Sequence, residues 1–174
     1  MKLGQFQIYT GDGKGKTTAA LGLALRACGA GLRVYLGQFL KEADTSELKA
    51  LRRLPGIDAE CYGSGLGLLL DRDAQDRDRA CAEAGYDRLR KALTGGDYDV
   101  VIADEILCAM GCGLLDEDDL LSLVDQRPAG VELVFTGRGA SEALLSRADL
   151  ATEMRLVRHY YPEKRLPARE GIEW

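Results

Sequence analysis

The run Tyr9-Thr10-Gly11-Asp12-Gly13-Lys14-Gly15-Lys16-Thr17-Thr18 constrains this chain more than any other stretch of it. It follows a strand-like segment, Phe6 to Thr10, and opens an alanine- and leucine-rich segment, Thr17 to Cys28, with helical spacing. A glycine-rich turn between a strand and a helix is the setting a phosphate-binding P-loop requires. Its glycines let successive backbone N–H groups face one concavity, and the helix N-terminus adds the positive end of its dipole. In such a loop Lys16 reaches the distal phosphates and the Thr17 hydroxyl sits on a Mg²⁺ ion. The candidate nucleotide contacts are therefore Thr10, Gly11, Asp12, Gly13, Lys14 and Gly15, followed by Lys16, Thr17 and Thr18. One position departs from the strict pattern: the residue six before Lys16 should be glycine and is Thr10. The bland alternative is a glycine-rich turn with two surface lysines, and the strand–helix setting argues against it.

The rest of the chain continues the same alternation. Arg33 to Leu40, Ile57 to Tyr62, Tyr98 to Ala103, Glu132 to Thr136 and Ala151 to Val157 read as strands. Asp73 to Leu93, Glu117 to Asp125 and Ala140 to Arg147 read as helices. Alternation of this kind predicts an α/β fold: one P-loop nucleotide-binding domain over residues 1–174, a mostly parallel sheet of about six strands with helices on both faces. Glycine supplies 21 of 174 residues, roughly 12% against an average near 7%, which points to tight turns and close backbone approaches. The loop Gly63-Ser-Gly-Leu-Gly67 is one such place and reads as an ordered binding loop.

Charge and cysteine usage narrow the partners. Lysine and arginine total 23 against 28 acidic residues, for a net charge of −5. A protein that grips duplex nucleic acid or anionic lipid usually carries the opposite sign, so neither is an expected partner. No apolar run approaches the ~18 residues of a membrane helix, and nothing in the first residues resembles a targeting segment. The five scattered cysteines fit reduced thiols and a cytoplasmic location. Cys108 and Cys112 lie on one helical spacing but lack further ligands for a zinc or iron–sulfur site, and read as small core residues. The acidic run Asp116 to Asp119 reads as the start of a solvated helix.

Two further motifs converge on the same rim. Asp99-Val-Val-Ile-Ala-Asp104-Glu105 is an apolar strand ending in two carboxylates. In a P-loop sheet, an acidic residue at the end of a neighbouring strand completes the Mg²⁺ site. Asp104 and Glu105 are thus candidate metal ligands beside Thr17, with capping of the next helix as an alternative role for Asp104. Thr136-Gly-Arg138-Gly ends another apolar strand, which brings Arg138 to the carboxyl rim as a clamp for phosphate or ribose oxygens. Gln38, at the end of the second strand, is a polar contact on the same rim.

With these pieces in hand, the chain resembles the P-loop ATP:corrinoid adenosyltransferases of cobalamin biosynthesis and salvage. The resemblance rests on Tyr9 to Ala20, Gln38-Phe-Leu-Lys41, Asp104-Glu105, Arg127-Pro128, Thr136-Gly-Arg-Gly139, Ala148-Asp149, Thr152-Glu-Met154 and Gly171-Ile-Glu173, in family order along essentially the whole chain. Thr10 in place of the first glycine is itself the family's form. Membership would imply ATP and a Co(I) corrinoid as substrates, Mg²⁺ as cofactor, and a flavoprotein or other reductant and a homodimer as partners. The implied reaction moves the 5′-deoxyadenosyl group onto cobalt and releases triphosphate. Lys16, Glu105 and Arg138 then become the catalytic candidates, because charge grows on the leaving triphosphate. Many relatives carry two aromatic residues after the glycine loop. Here that stretch is Leu66 to Leu70, so Leu66 and Leu68 are the corrinoid-binding candidates. A nucleotide kinase or NTPase, which would release ADP, is the alternative from another enzyme class, and a nucleotide-dependent regulatory or binding module is a third reading.

Overall fold

A computed structural model describes residues 3–41, 45–65 and 73–173. Its six strands are β1 (Phe6–Thr10), β2 (Val34–Phe39), β3 (Ile57–Tyr62), β4 (Val100–Asp104), β5 (Glu132–Thr136) and β6 (Leu150–Glu153). They form one sheet in the order β3-β2-β4-β5-β1-β6, and every pairing is parallel. The helices are α1 (Lys16–Gly29), α2 (Ser46–Leu51), α3 (Asp76–Thr94), α4 (Ile106–Gly111), α5 (Glu117–Gln126), α6 (Glu142–Arg147) and α7 (Tyr160–Lys164).

Side chains alternate across each strand and so feed two cores. On one face Val34, Leu36, Val100, Ile102 and Val134 meet the alanines of α1 (Ala20, Ala24 and Ala27) and Leu48 and Leu51 of α2. On the other face Tyr35, Phe39, Val101, Leu133 and Phe135 meet α3, α4, α5 and α6. The small residues of α1 let the helix lie close to the sheet, and this closeness brings its first turn over the strand ends. Strands β2 and β4 are buried at every residue. That is why β4 reads as an apolar run up to Asp104, and β2 as one interrupted only by Gly37 and Gln38, rather than as alternating segments.

The edges behave differently. β6 is exposed throughout and, among the described residues, pairs only with β1, ending at the Thr10–Glu153 register. The expected strand Ala151 to Val157 stops early because beyond Thr10 the chain turns into the P-loop and offers no further ladder. Helix α3 starts with a capping box between Gln75 and Asp78, and α5 with one between Asp116 and Asp119. The acidic run therefore opens a helix, as its sequence suggests. At the start of α1 the N-cap is Gly15 at φ 122°, and no described side chain caps it. Its first N–H groups are left facing the loop.

Candidate functional site

The carboxyl ends of β1, β2, β4 and β5 share one rim, the place where open α/β sheets bind ligands. The P-loop stands at the end of β1, seated on the chain that follows β6. Gly13 N–H donates to the Met154 carbonyl at 2.6 Å, and Met154 N–H donates to the Thr10 carbonyl at 2.8 Å. A Cβ at Gly13 would lie 2.5 Å from the Met154 carbonyl oxygen, so this seat accepts only glycine. Lys16 is buried, and its ammonium donates to the carbonyls of Gly11 at 2.7 Å and Gly13 at 2.8 Å. The loop is thus shaped from inside by its own lysine.

Asp104 is the hub of the rim. It is fully buried, and four groups donate to it. The hydroxyls of Thr17 and Thr136 reach Oδ1 at 2.8 and 2.7 Å. The Gln38 amide and the Lys41 ammonium reach Oδ2, each at 3.0 Å. These bonds join the ends of β2, β4 and β5 to the first turn of α1. The strand carrying Asp104 is not the neighbour of β1, as the motif reading assumed. β5 lies between them, and Asp104 reaches Thr17 across the end of β5 beside Thr136. Gln38, fully buried, also donates to Glu47 Oε1 at 3.3 Å, so it reaches the rim as a support for Asp104.

Glu105 adopts the left-handed conformation, with φ 60° and ψ 15°, and donates its N–H to the Thr136 hydroxyl at 2.9 Å. Leu40 does the same on β2's side, with φ 62°. Each such residue costs about 1–2 kcal/mol of backbone strain. Both bends are at the rim: one sets Glu105 at the start of α4, the other brings Lys41 back toward Asp104. A cleft of about 590 Å³ opens there, lined by Lys16, Thr17, Thr18, Lys41, Glu47 and Glu105 among others. Its size falls in the range of small-molecule sites. Burial alone would lower the Lys41 pKa, but Asp104, Glu47 and Glu105 outweigh burial and raise it, so the ammonium stays charged.

Arg138, exposed at the end of β5, stands 3.7 Å from Asp12 of the P-loop, and its N–H meets the Cys108 sulfur at 3.1 Å. A second cleft of about 420 Å³ lies on this side, lined by Asp12, Gly13, Lys14, Arg138, Tyr160 and Tyr161 among others. Burial, then Glu105, push the Cys108 thiol up to about 12, so it is not a nucleophile at neutral pH. Cys112 is exposed rather than in the core, and Cys108 only half-buried. Thr10 accepts from Ala140 N–H at 3.4 Å and helps to hold the loop's base. Leu66 and Leu68 lie outside the described residues.

Two features of the rim escape the motif reading. Lys41 belongs to a quoted motif, yet only the bend at Leu40 reveals where its charge goes. Lys14 is met from far along the chain: its ammonium donates to Glu173 Oε1 at 2.7 Å, the Ile172 carbonyl at 3.0 Å and the Tyr160 hydroxyl at 3.3 Å. The other quoted motifs divide between site and scaffold. Thr152-Glu-Met154 backs the P-loop, while Arg127 ties the Gly4 and Val131 carbonyls, each at 3.0 Å, at the opposite ends of the strands.

Comparison with known proteins agrees with this geometry. Over residues 2–174 the chain matches the family described as ATP:corrinoid adenosyltransferase BtuR/CobO/CobP. It is 35% identical over 172 residues to the corrinoid adenosyltransferase of Pseudomonas aeruginosa, covering 98% of this chain and 84% of that one. It is 29% identical over 167 residues to the corrinoid adenosyltransferases of Escherichia coli K12 and Salmonella typhimurium LT2, in each case covering 96% of this chain and 84% of the relative. With a P-loop, an Asp104 hub and a match along nearly its whole length, this chain belongs to the ATP:corrinoid adenosyltransferase family.

Proposed function

We propose that this chain transfers the 5′-deoxyadenosyl group of ATP to the cobalt of a Co(I) corrinoid and releases inorganic triphosphate. The observation that carries the reading is the Thr17–Asp104–Thr136 junction beneath a P-loop, in a chain matched by this family along nearly its whole length. Cobalt(I) supplies the electron pair and attacks C5′. The C5′–O bond breaks, and its electrons stay on the triphosphate. The protein therefore needs no nucleophile of its own, which agrees with a Cys108 thiol held neutral. Its task is to stabilise charge growing on the leaving group.

Lys16, the backbone N–H groups from Gly11 to Thr17 other than that of Gly13, which is bonded to Met154, and Arg138 from the far side of the loop take that role. Lys14 adds a second positive charge, and Lys41 a third beside Asp104. The donor set suits Mg²⁺, since the Thr17 hydroxyl and the Asp104 and Glu105 carboxylates are hard oxygen ligands. Thr17 and Glu105, which line the cleft, would hold the ion, with the buried Asp104 behind them acting through the Thr17 hydroxyl, and the ion when bound would neutralise triphosphate charge. Asp104 orients Thr17 through its hydroxyl, and Glu105 faces the cleft. Leu66 and Leu68 are the corrinoid-binding residues of this reading. One domain carries the whole activity, in the cytoplasm, as a homodimer supplied with electrons by a flavoprotein or other reductant.

The test combines ATP, Mg²⁺ and chemically reduced corrinoid. Triphosphate formed in step with a light-sensitive alkylcobalt spectrum supports the assignment. ADP as the product would make the chain a kinase or NTPase, and neither product would leave a binding module.

A further inference from the structure

The contacts around Lys14 lie outside the chemistry assigned so far, and they form a closed set. Its three ammonium hydrogens meet Glu173, Ile172 and Tyr160. The Glu173 side chain is only 17% exposed. Besides Lys14 it accepts from the Tyr160 hydroxyl, from Arg169 N–H at 2.8 Å and from the Arg169 guanidinium at 3.2 Å. The Tyr160 ring lies between two cations, with Arg169 5.1 Å and Lys14 6.0 Å from its centroid. One carboxylate thus serves two cations, so the cluster remains net positive.

Its location is as informative as its bonding. Lys14, Lys16 and Glu173 line both the cleft containing Thr17 and Glu105 and the cleft containing Asp12 and Arg138. The cluster stands on the ridge between the two. Lys16 braces the loop from inside through its own carbonyls. Lys14 has no such local partner, and on a flexible four-carbon stem its charge would otherwise sample many positions. The distant segment 160–173 removes that freedom before any ligand arrives, and pre-ordering a charge lowers the entropy lost on binding.

We propose that Glu173 is a positioning residue which, with Tyr160 and Arg169, fixes the Lys14 ammonium on the ridge between the two clefts so that the triphosphate of ATP meets a pre-set second charge. This rests on the adenosyltransferase reading and concerns only how the leaving group is gripped.

The experiment measures binding of Mg-ATP and of inorganic triphosphate, together with kcat and KM, in wild type, Lys14→Ala, Glu173→Ala, Glu173→Gln and the Lys14→Ala/Glu173→Ala double variant. Lys14→Ala should weaken triphosphate binding about tenfold, the loss of one positive charge beside the ligand. Glu173→Ala should weaken it about three- to tenfold, a smaller effect because the pair is partly solvated. Glu173→Gln, which keeps the shape without the charge, should fall between wild type and Glu173→Ala. For the Glu173 variants the losses should appear in KM, with kcat within about threefold of wild type, whereas Lys14→Ala, which removes a charge facing the leaving group, should lower kcat as well. The double variant should be no worse than Lys14→Ala alone, because Glu173 acts only through Lys14. Equal further loss from Glu173→Ala in the Lys14→Ala background would overturn the proposal, since packing of the segment would then be its role. Tighter triphosphate binding by Glu173→Ala would also overturn it and make Glu173 a brake on Lys14. ADP formation by the wild type, in contrast, would defeat the adenosyltransferase reading itself.

Discussion

Two lysines two residues apart in one loop are held in opposite ways. Lys16 is buried and bonded to carbonyls three and five residues before it. Lys14 is half-exposed and bonded to a segment 146 to 159 residues further along the chain. The first arrangement is local, so a ten-residue run announces it. The second exists only because the sheet order brings the chain beyond β6 back against the P-loop. The inner lysine belongs to the loop's own architecture, and the outer one to the tertiary structure.

Breaking the inner side should have the largest effect. Asp104→Ala would strip four donors of their acceptor and leave the mostly buried Lys41 ammonium without its closest carboxylate. Removing one partner of a buried ion pair costs on the order of 3–5 kcal/mol. Denaturant unfolding should show a loss of that size, and turnover should vanish with it. An unfolding midpoint equal to wild type would mean Asp104 is not the hub.

Next come substitutions that spare the core. Lys16→Ala and Glu105→Ala should each lower turnover by on the order of 10²-fold, the cost of one preorganised charge stabiliser, with the circular dichroism spectrum unchanged. Glu105→Gly sharpens the point. It relieves the left-handed backbone at φ 60° while removing the same carboxylate, so it should be as inactive as Glu105→Ala yet more stable. Activity in either Glu105 variant would remove that carboxylate from the site.

The smallest effect concerns the outer side and pH. Arg169, then Lys14 and Tyr160, hold the Glu173 carboxyl below the ordinary carboxylate range, and Glu173 in turn raises Lys14. A depressed carboxylate contributes fully above its unfolded pKa and is lost only as pH falls through the lower folded value. A raised lysine contributes fully below its unfolded pKa and is lost as pH rises through the higher folded one. The difference in ATP affinity between wild type and Glu173→Gln should therefore stay level from about pH 5 to about pH 9. Titration of affinity across that interval checks it, and a step near neutrality would contradict the assignment.

The same contrast explains how much could be read from residues alone. Strands β1, β3 and β5 have the boundaries their residue patterns indicate, although only β5 is buried along most of its length and β1 and β3 are buried at two residues each. Helices α2 and α7, of six and five residues, gave no signal, and α4 was anticipated only as a helix following Asp104 with Cys108 and Cys112 at helical spacing, because so few residues hardly establish a period by themselves. Sheet order is a non-local property, so the position of β5 between β1 and β4 was not legible, nor was the route from Asp104 to Thr17. Lys41 was visible as a lysine in a motif, but its direction depends on one backbone bend at Leu40. Glu173 lay in a motif whose local sequence carries no chemistry. Its partner is 159 residues away.

The central claim is that the P-loop grips the triphosphate as an intact leaving group, with bond cleavage at C5′ rather than at phosphorus. ATP labelled with heavy oxygen at the bridge between C5′ and the α-phosphorus tests it directly. After a single turnover with Co(I) corrinoid, mass spectrometry should find all of the label in inorganic triphosphate and none in the adenosyl product. Label retained in a nucleoside, or distributed into ADP, would place the cleavage at phosphorus and contradict the account.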